Sequence, residues 1–129
     1  MDNKEVMSWL SSAEQDLRVA KHLEKTFYPK PLEIICYHCQ QAAEKAVKAI
    51  IVYYGCPGGL PRSHDVSFLL SQIKNRCDIS EDLYDSADTL SPYGVAVRYP
   101  SELFLEAKHA SDAIIHSEKI YSWAASIIK

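Results

Sequence analysis

From Leu32 to Tyr54 the chain contains no glycine and no proline, and this stretch constrains everything else. Pro31 opens it, Gly55 stops it, and Pro57 follows closely, which are the punctuation marks of a helix. At 100° per residue, Ile35, Cys39, Ala42, Ala43, Ala46, Val47, Ala49, Ile50 and Tyr53 fall on a wide apolar arc. His38, Gln41, Glu44, Lys45 and Lys48 fall on the opposite arc. So broad an apolar surface beside so narrow a polar strip predicts a helix with neighbours on several sides. What the polar strip faces is the functional question.

The remaining segments supply those neighbours. A first helix is expected from Lys4 to Glu24, with Val6, Leu10, Ala13, Leu17 and Ala20 as its core stripe. Trp9, Asp16 and Leu23 lie beside that stripe, so Asp16 sits at the edge of the seam. A carboxylate buried there needs a cation. Tyr28-Pro-Lys-Pro31 breaks the chain briefly, as short joins between antiparallel helices do. A third helix is expected from Asp65 to Arg76 and a fourth, capped by Ser80, to Leu90. Residues 91–100 read as a loop with some extended character. Ser101 then caps a final helix, with Glu102 in its first turn and Leu103, Ala107, Ala110, Ile114, Tyr121, Ala125 and Ile128 facing inward. Lys108, His109, Asp112, His116 and Lys119 are placed on its outer face, and His109 and His116 read as solvated. The fold class that follows is all-α: an antiparallel up-and-down helical bundle of three long and two short helices, as one domain over residues 1–129.

Composition sets limits on function. The 129 residues carry a formal net charge of -3, which argues against a broad nonspecific nucleic-acid coat. No apolar run approaches the roughly 20 residues needed to cross a bilayer. The first residues lack the apolar core of a signal peptide, so the cytoplasm is the expected location and no membrane role is expected. Four cysteines stand at 36, 39, 56 and 77. Cys36 and Cys39 lie inside a helical pattern instead of a zinc-knuckle turn, so all four are read as free and mostly buried thiols. The glycines of Gly55-Cys-Pro-Gly-Gly59 match no phosphate-loop spacing.

Neither a nucleophile elbow nor a metal-ligating histidine pair is present, so no catalytic residue, metal or cofactor is expected. The remaining candidates are basic: Lys45 and Lys48 on the long helix, Arg62 and His64 before the third, and Arg98 before the last. Lysine and arginine suit phosphate, and Tyr99 beside Arg98 offers a ring for stacking on a base. The alternative is that Arg98 pairs with Asp16 or Glu44 and only pins the bundle.

Four blocks in order resemble the HEPN domain, the "higher eukaryotes and prokaryotes nucleotide-binding" family. They are Trp9-x-x-x-Ala13-Glu-x-Asp16-Leu17-x-x-Ala20, Cys39-Gln-Gln-Ala-Ala-Glu-Lys45-Ala-Val-Lys48, His64-Asp65, and Arg98-Tyr99-Pro100. The resemblance covers essentially the whole chain. It implies a homodimer, a minimal nucleotidyltransferase as partner in prokaryotes, and a nucleotide or RNA as ligand. On it, Lys45, Lys48, His64, Arg98 and Tyr99 form the nucleotide-binding set, supported by Asp16, Gln41 and Glu44. The ribonuclease branch of the family carries an arginine four to six residues before a histidine near the last helix. Here the next histidine after Arg98 is His109, and the spacing is absent. The expectation is therefore a noncatalytic binding protein. A divergent metal-independent ribonuclease toxin, or a plain interaction scaffold, are the alternatives.

Overall fold

The computed structural model describes residues 3–98 and 104–128, with backbone only for residues 95–98. Five α-helices occur in order: α1 Asn3–Thr26, α2 Leu32–Tyr54, α3 Val66–Ser71, α4 Glu81–Leu90 and α5 Ala107–Ile128. A 3-10 helix over Ser91–Arg98 continues α4, and no strand occurs among the described residues. α2 is the axis and packs against all the other helices. α1 runs antiparallel to it, since Asp16 meets Lys45 while the earlier Trp9 meets the later Lys48. α4 and α5 are also antiparallel, with Asp82 against Lys119 and Ser86 against His116. The fold is an antiparallel up-and-down helical bundle.

The core follows from the periodicities. Val6, Leu10, Ala13, Leu17 and Ala20 of α1 are buried as expected, and α2 buries Ile35, Cys39, Ala43, Ala46, Val47 and Ile50 against them. Small residues along α2 let three neighbours come close, and each buried Ile or Leu contributes roughly 1.5–3 kcal/mol. α3 begins where Asp65 accepts a hydrogen bond from the Phe68 amide, and α4 where Ser80 accepts one from Leu83. All four cysteines are free, with Cys36 and Cys39 buried and Cys56 and Cys77 half-buried. No described helix is long and apolar enough to cross a membrane.

Five local expectations need correction. The third helix stops at Ser71, and the chain continues in tight turns in which Gln72, Ile73 and Arg76 donate three residues back. Ile73 remains buried there, so the apolar spacing outlasts the helix. The segment after Leu90 is a 3-10 helix and not extended. α5 begins at Ala107; the expected cap Ser101, Glu102 and the inward Leu103 lie outside the described residues. The His109 ring instead accepts from the Glu106 amide at 2.8 Å and closes the first turn of α5. The inward stripe of α5 is Ala110, Ala113, Ser117, Ile120 and Ala124; Ala107 is exposed, and Ile114, Tyr121, Ala125 and Ile128 only flank that stripe. His109 and His116 are half-buried instead of fully solvated, and His116 Nδ1 shares a 2.8 Å hydrogen bond with Ser86.

Candidate functional site

The polar strip of α2 does not face open water. Gln40, Glu44 and Lys48 stand at successive four-residue steps and form one buried stripe. Glu44 lies at its centre. Its Oε1 accepts from Gln40 Nε2 at 3.0 Å and its Oε2 from Lys48 Nζ at 2.8 Å. His64 Nδ1 lies 3.1 Å from both carboxylate oxygens. Burial alone would raise the Glu44 pKa, but the hydrogen bonds from Lys48, Gln40 and His64, with the charge of Lys48, hold it below the usual carboxylate range. Lys48 also lies over the Trp9 ring, 5.7 Å from its centroid.

His64 comes from the turn-rich segment between α2 and α3, and the sequence there explains how it is held. Gln40 Nε2 donates to the His64 carbonyl at 2.9 Å, and the next residue, Asp65, caps α3. The Val66 amide donates to Ser91 Oγ at the start of the 3-10 helix. The backbone of His64 is thus fastened on three sides, while its ring is 69% exposed. With Nδ1 on a carboxylate, Nε2 is the ring atom left for a ligand.

A second carboxylate works beside the first. Asp16 of α1 accepts from Lys45 Nζ at 2.7 Å on Oδ2 and lies 2.9 Å from His38 Nδ1 on Oδ1. The seam-edge aspartate expected to need a cation therefore has one. Gln41 joins the Glu44 group, donating to Gln40 Oε1 at 2.8 Å. No buried side-chain nitrogen or oxygen among the described residues lacks a partner.

Of the expected ligand residues, Lys48 and His64 meet on Glu44, and Lys45 joins Asp16. Arg98 ends the 3-10 helix, but its side chain and all of Tyr99 lie outside the described residues. Arg62 is exposed in the loop before His64. Sequence reasoning missed Gln40, the side chain that ties Glu44 to the His64 backbone. Its signal was the four-residue spacing of Gln40, Glu44 and Lys48. It also missed Gly94, which lies against the Gln40 amide where a β-carbon would not fit.

The comparisons with known proteins bear on the fold and the family. A protein of Methanocaldococcus jannaschii named "Putative toxin MJ1304" is 34% identical over 106 residues, 76% of this chain. The match spans 65% of that relative's length, so the relative is considerably longer than the part matched. Among solved structures, TT1696 from Thermus thermophilus superposes with a TM-score of 0.82 at 25% identity, covering 95% of this chain and 97% of that one. ST0689, described as an archaeal HEPN homologue, gives 0.76 at 27% identity over the whole of both chains. A HEPN domain protein from Thermotoga maritima gives 0.75 at 25% identity over 94% and 97%. The HEPN domain profile matches residues 6–128, and the chain belongs to the HEPN domain family.

Proposed function

We propose that this protein is a noncatalytic HEPN protein of the cytoplasm that binds a nucleotide or RNA, forms a homodimer and works with a minimal nucleotidyltransferase. The binding surface is the strip around Lys45, Lys48, His64, Arg98 and Tyr99, with Asp16 and Glu44 holding the cations and Gln41 supporting Glu44 through Gln40. One observation carries this reading. His64 is anchored through Nδ1 and its own carbonyl, yet its ring is 69% exposed, an arrangement that presents Nε2 outward. A histidine that served only to pin the bundle would gain nothing from that exposure. The lysines add donors beside it, and Tyr99 supplies a stacking surface.

Titration of ATP, GTP and a short RNA against the wild type, His64→Ala and Arg98→Ala tests the reading. Binding by the wild type that weakens in both variants supports it. No binding of any of the three, or equal binding by the variants, ends it. A nucleotidyltransferase reading frame beside the gene, and co-elution of the two products, would support the partner.

A second reading is a ribonuclease toxin of a toxin–antitoxin or defence system. It is favoured by the likeness to the relative named as a toxin and by the carboxylate-held histidine, which is the geometry of a general base. Chelator-insensitive RNA cleavage abolished by His64→Ala and by Arg98→Ala would establish it in place of the first.

A further inference from the structure

Where α2 ends, the chain builds a cavity of about 230 Å³ that takes no part in the polar strip. Ile51 and Tyr54 of α2 line one side, the loop through Pro57 and Gly59 a second, and the turns after α3 a third. Ile51 and Ile73, each 3% exposed, give it an apolar floor. The loop wall is held by its own turn. The Gly59 amide donates to the Cys56 carbonyl at 2.9 Å, with Pro57 and Gly58, at φ 88°, in the two middle positions.

The polar groups of this cavity are of two kinds. α2 has no basic residue in its last turn, and the cation that meets its end comes from elsewhere: Arg76 Nη1 donates to the Tyr54 carbonyl at 2.9 Å. That bond uses one of the five N–H donors of the guanidinium, and Arg76 makes no ion pair among the described residues. The other kind is carbonyl oxygen. The Gly55 amide turns back to Val52, so the Ile51 carbonyl receives no hydrogen bond among the described residues and points along the axis toward the helix end. Gln72 has its Nε2 3.4 Å from Ser71 Oγ, which leaves Oε1 as a second acceptor.

The balance of charge selects the ligand. One guanidinium stands against a helix end equivalent to roughly half a negative charge. The sum suits a single carboxylate, whose two oxygens match the planar fork, and falls short of a phosphate dianion. Acceptors beside it suit an ammonium. A carboxylate and an ammonium on neighbouring atoms, with an apolar branch for Ile51 and Ile73, make up an apolar amino acid. The volume lies below the roughly 300 Å³ at which sites for drug-sized ligands begin, as a molecule so small requires.

We propose that the cavity between the end of α2 and the turns after α3 binds a free apolar amino acid, its carboxylate on Arg76, its ammonium on the Ile51 carbonyl and Gln72 Oε1, and its side chain over Ile51 and Ile73. This site is separate from the strip around Glu44 and stands whether or not that strip binds a nucleotide.

The test follows backbone amides of the full chain by nuclear magnetic resonance during titration to millimolar L-leucine. Its two halves, 4-methylpentanoate and 3-methylbutylamine, and inorganic phosphate are titrated in parallel. Saturable shifts of the Gly55, Gly59 and Ile73 amides are expected with leucine, and affinities about tenfold weaker for either half, since each loses one charge-assisted contact. Arg76→Gln should weaken leucine and 4-methylpentanoate about tenfold and leave the amine unchanged. Gln72→Phe, which fills the cavity and keeps the Tyr54–Arg76 bond, should abolish the leucine shifts and answers the question if circular dichroism finds Arg76→Gln unfolded. No saturable shift at these amides, or leucine binding unchanged in a folded Arg76→Gln or Gln72→Phe, overturns the site. Phosphate bound as tightly as leucine, or 4-methylpentanoate bound as tightly, overturns the amino acid as its ligand.

Discussion

Gly94 lies so close over the Gln40 amide that a β-carbon there would stand 2.8 Å from Cδ and 2.9 Å from Nε2. Gln40 is fully buried and its amide is held by Glu44, the His64 carbonyl and Gln41. Any retreat of the amide would stretch or break one of these bonds. Gly94→Ala is therefore expected to lower stability by about 1–3 kcal/mol, from crowding and at least one broken buried hydrogen bond. Urea denaturation measures it. The double variant Gly94→Ala/Gln40→Ala should lose less than the sum of the two single variants, and strict additivity would show that the two residues do not interact.

Acid should loosen the same network. Glu44 is held below its ordinary value of 4.5 in the folded chain. Its contribution is thus fully present above that value and is lost as pH falls through the lower folded value. Thermal denaturation from pH 6 to pH 3 should show a stability decline that is shallower in Glu44→Gln. At neutral pH the same variant leaves the Lys48 ammonium buried without its carboxylate, an expected loss of about 3–5 kcal/mol. A Glu44→Gln variant as stable as the wild type at pH 7 would mean that the pair adds nothing to the fold.

The thiols should separate by reactivity. Burial pushes Cys36 up to about 11 and pushes Cys39 higher still, with smaller contributions from the Cys36 and Glu118 charges. Burial also raises Cys77, whose thiol donates to the Ile73 carbonyl. Because the thiolate is the reactive form, Cys36 and Cys39 should stay silent toward a disulfide reagent at pH 8 until the chain unfolds. Half-buried Cys56 should react first. Mass spectrometry of partially labelled protein gives the order, and early labelling of Cys39 would contradict the packing of α2 against α5.

One polar bond fixes α5 against α2. Ser117 is fully buried and donates to the Cys39 carbonyl at 2.9 Å, between residues 78 apart in sequence. Ser117→Ala should cost about 1 kcal/mol, partly offset by the better helix propensity of alanine. A lowered thermal midpoint with unchanged ligand affinity is the expected pair of results.

Much of the fold was legible in the sequence because its punctuation was strong. Pro31 and Gly55 set both ends of α2, and the α1 stripe of Val6, Leu10, Ala13, Leu17 and Ala20 is buried as spaced. Boundaries failed where two signals competed. Ile73 keeps the apolar spacing of α3 after the helix has ended, and the Ser101 cap pattern stands well ahead of Ala107. The α5 stripe was misplaced because its inward positions are mostly alanine and serine, which carry little hydrophobic contrast.

The site was legible as residue types and hidden as a network. Lys45, Lys48, Glu44 and Asp16 could be named from the sequence, but who holds whom depends on distance in space. Gln40 reaches the carbonyl of a residue 24 positions away. A glutamine carries no charge, and its four-residue spacing from Glu44 alone gives little warning that it is buried. The exposed placing of His64 over Glu44 needed the turn chemistry around Ser63, Asp65 and Ser91, whose hydrogen bonds cross from one helix end to another.

The inward-turned carboxylates of Asp16 and Glu44 also say how a polyanion would meet this surface. Each lysine of the strip already has its counter-charge within 2.8 Å, and the whole chain carries a net charge of -3. Such a face condenses few counter-ions of its own and pulls weakly from a distance. Ordinary basic grooves capture nucleic acid by charge, at rates and affinities that collapse as salt rises. This strip would capture by shape and hydrogen bonding at close range, arriving slowly and tolerating salt, and so would pass over the bulk of cellular polyanions that do not fit it.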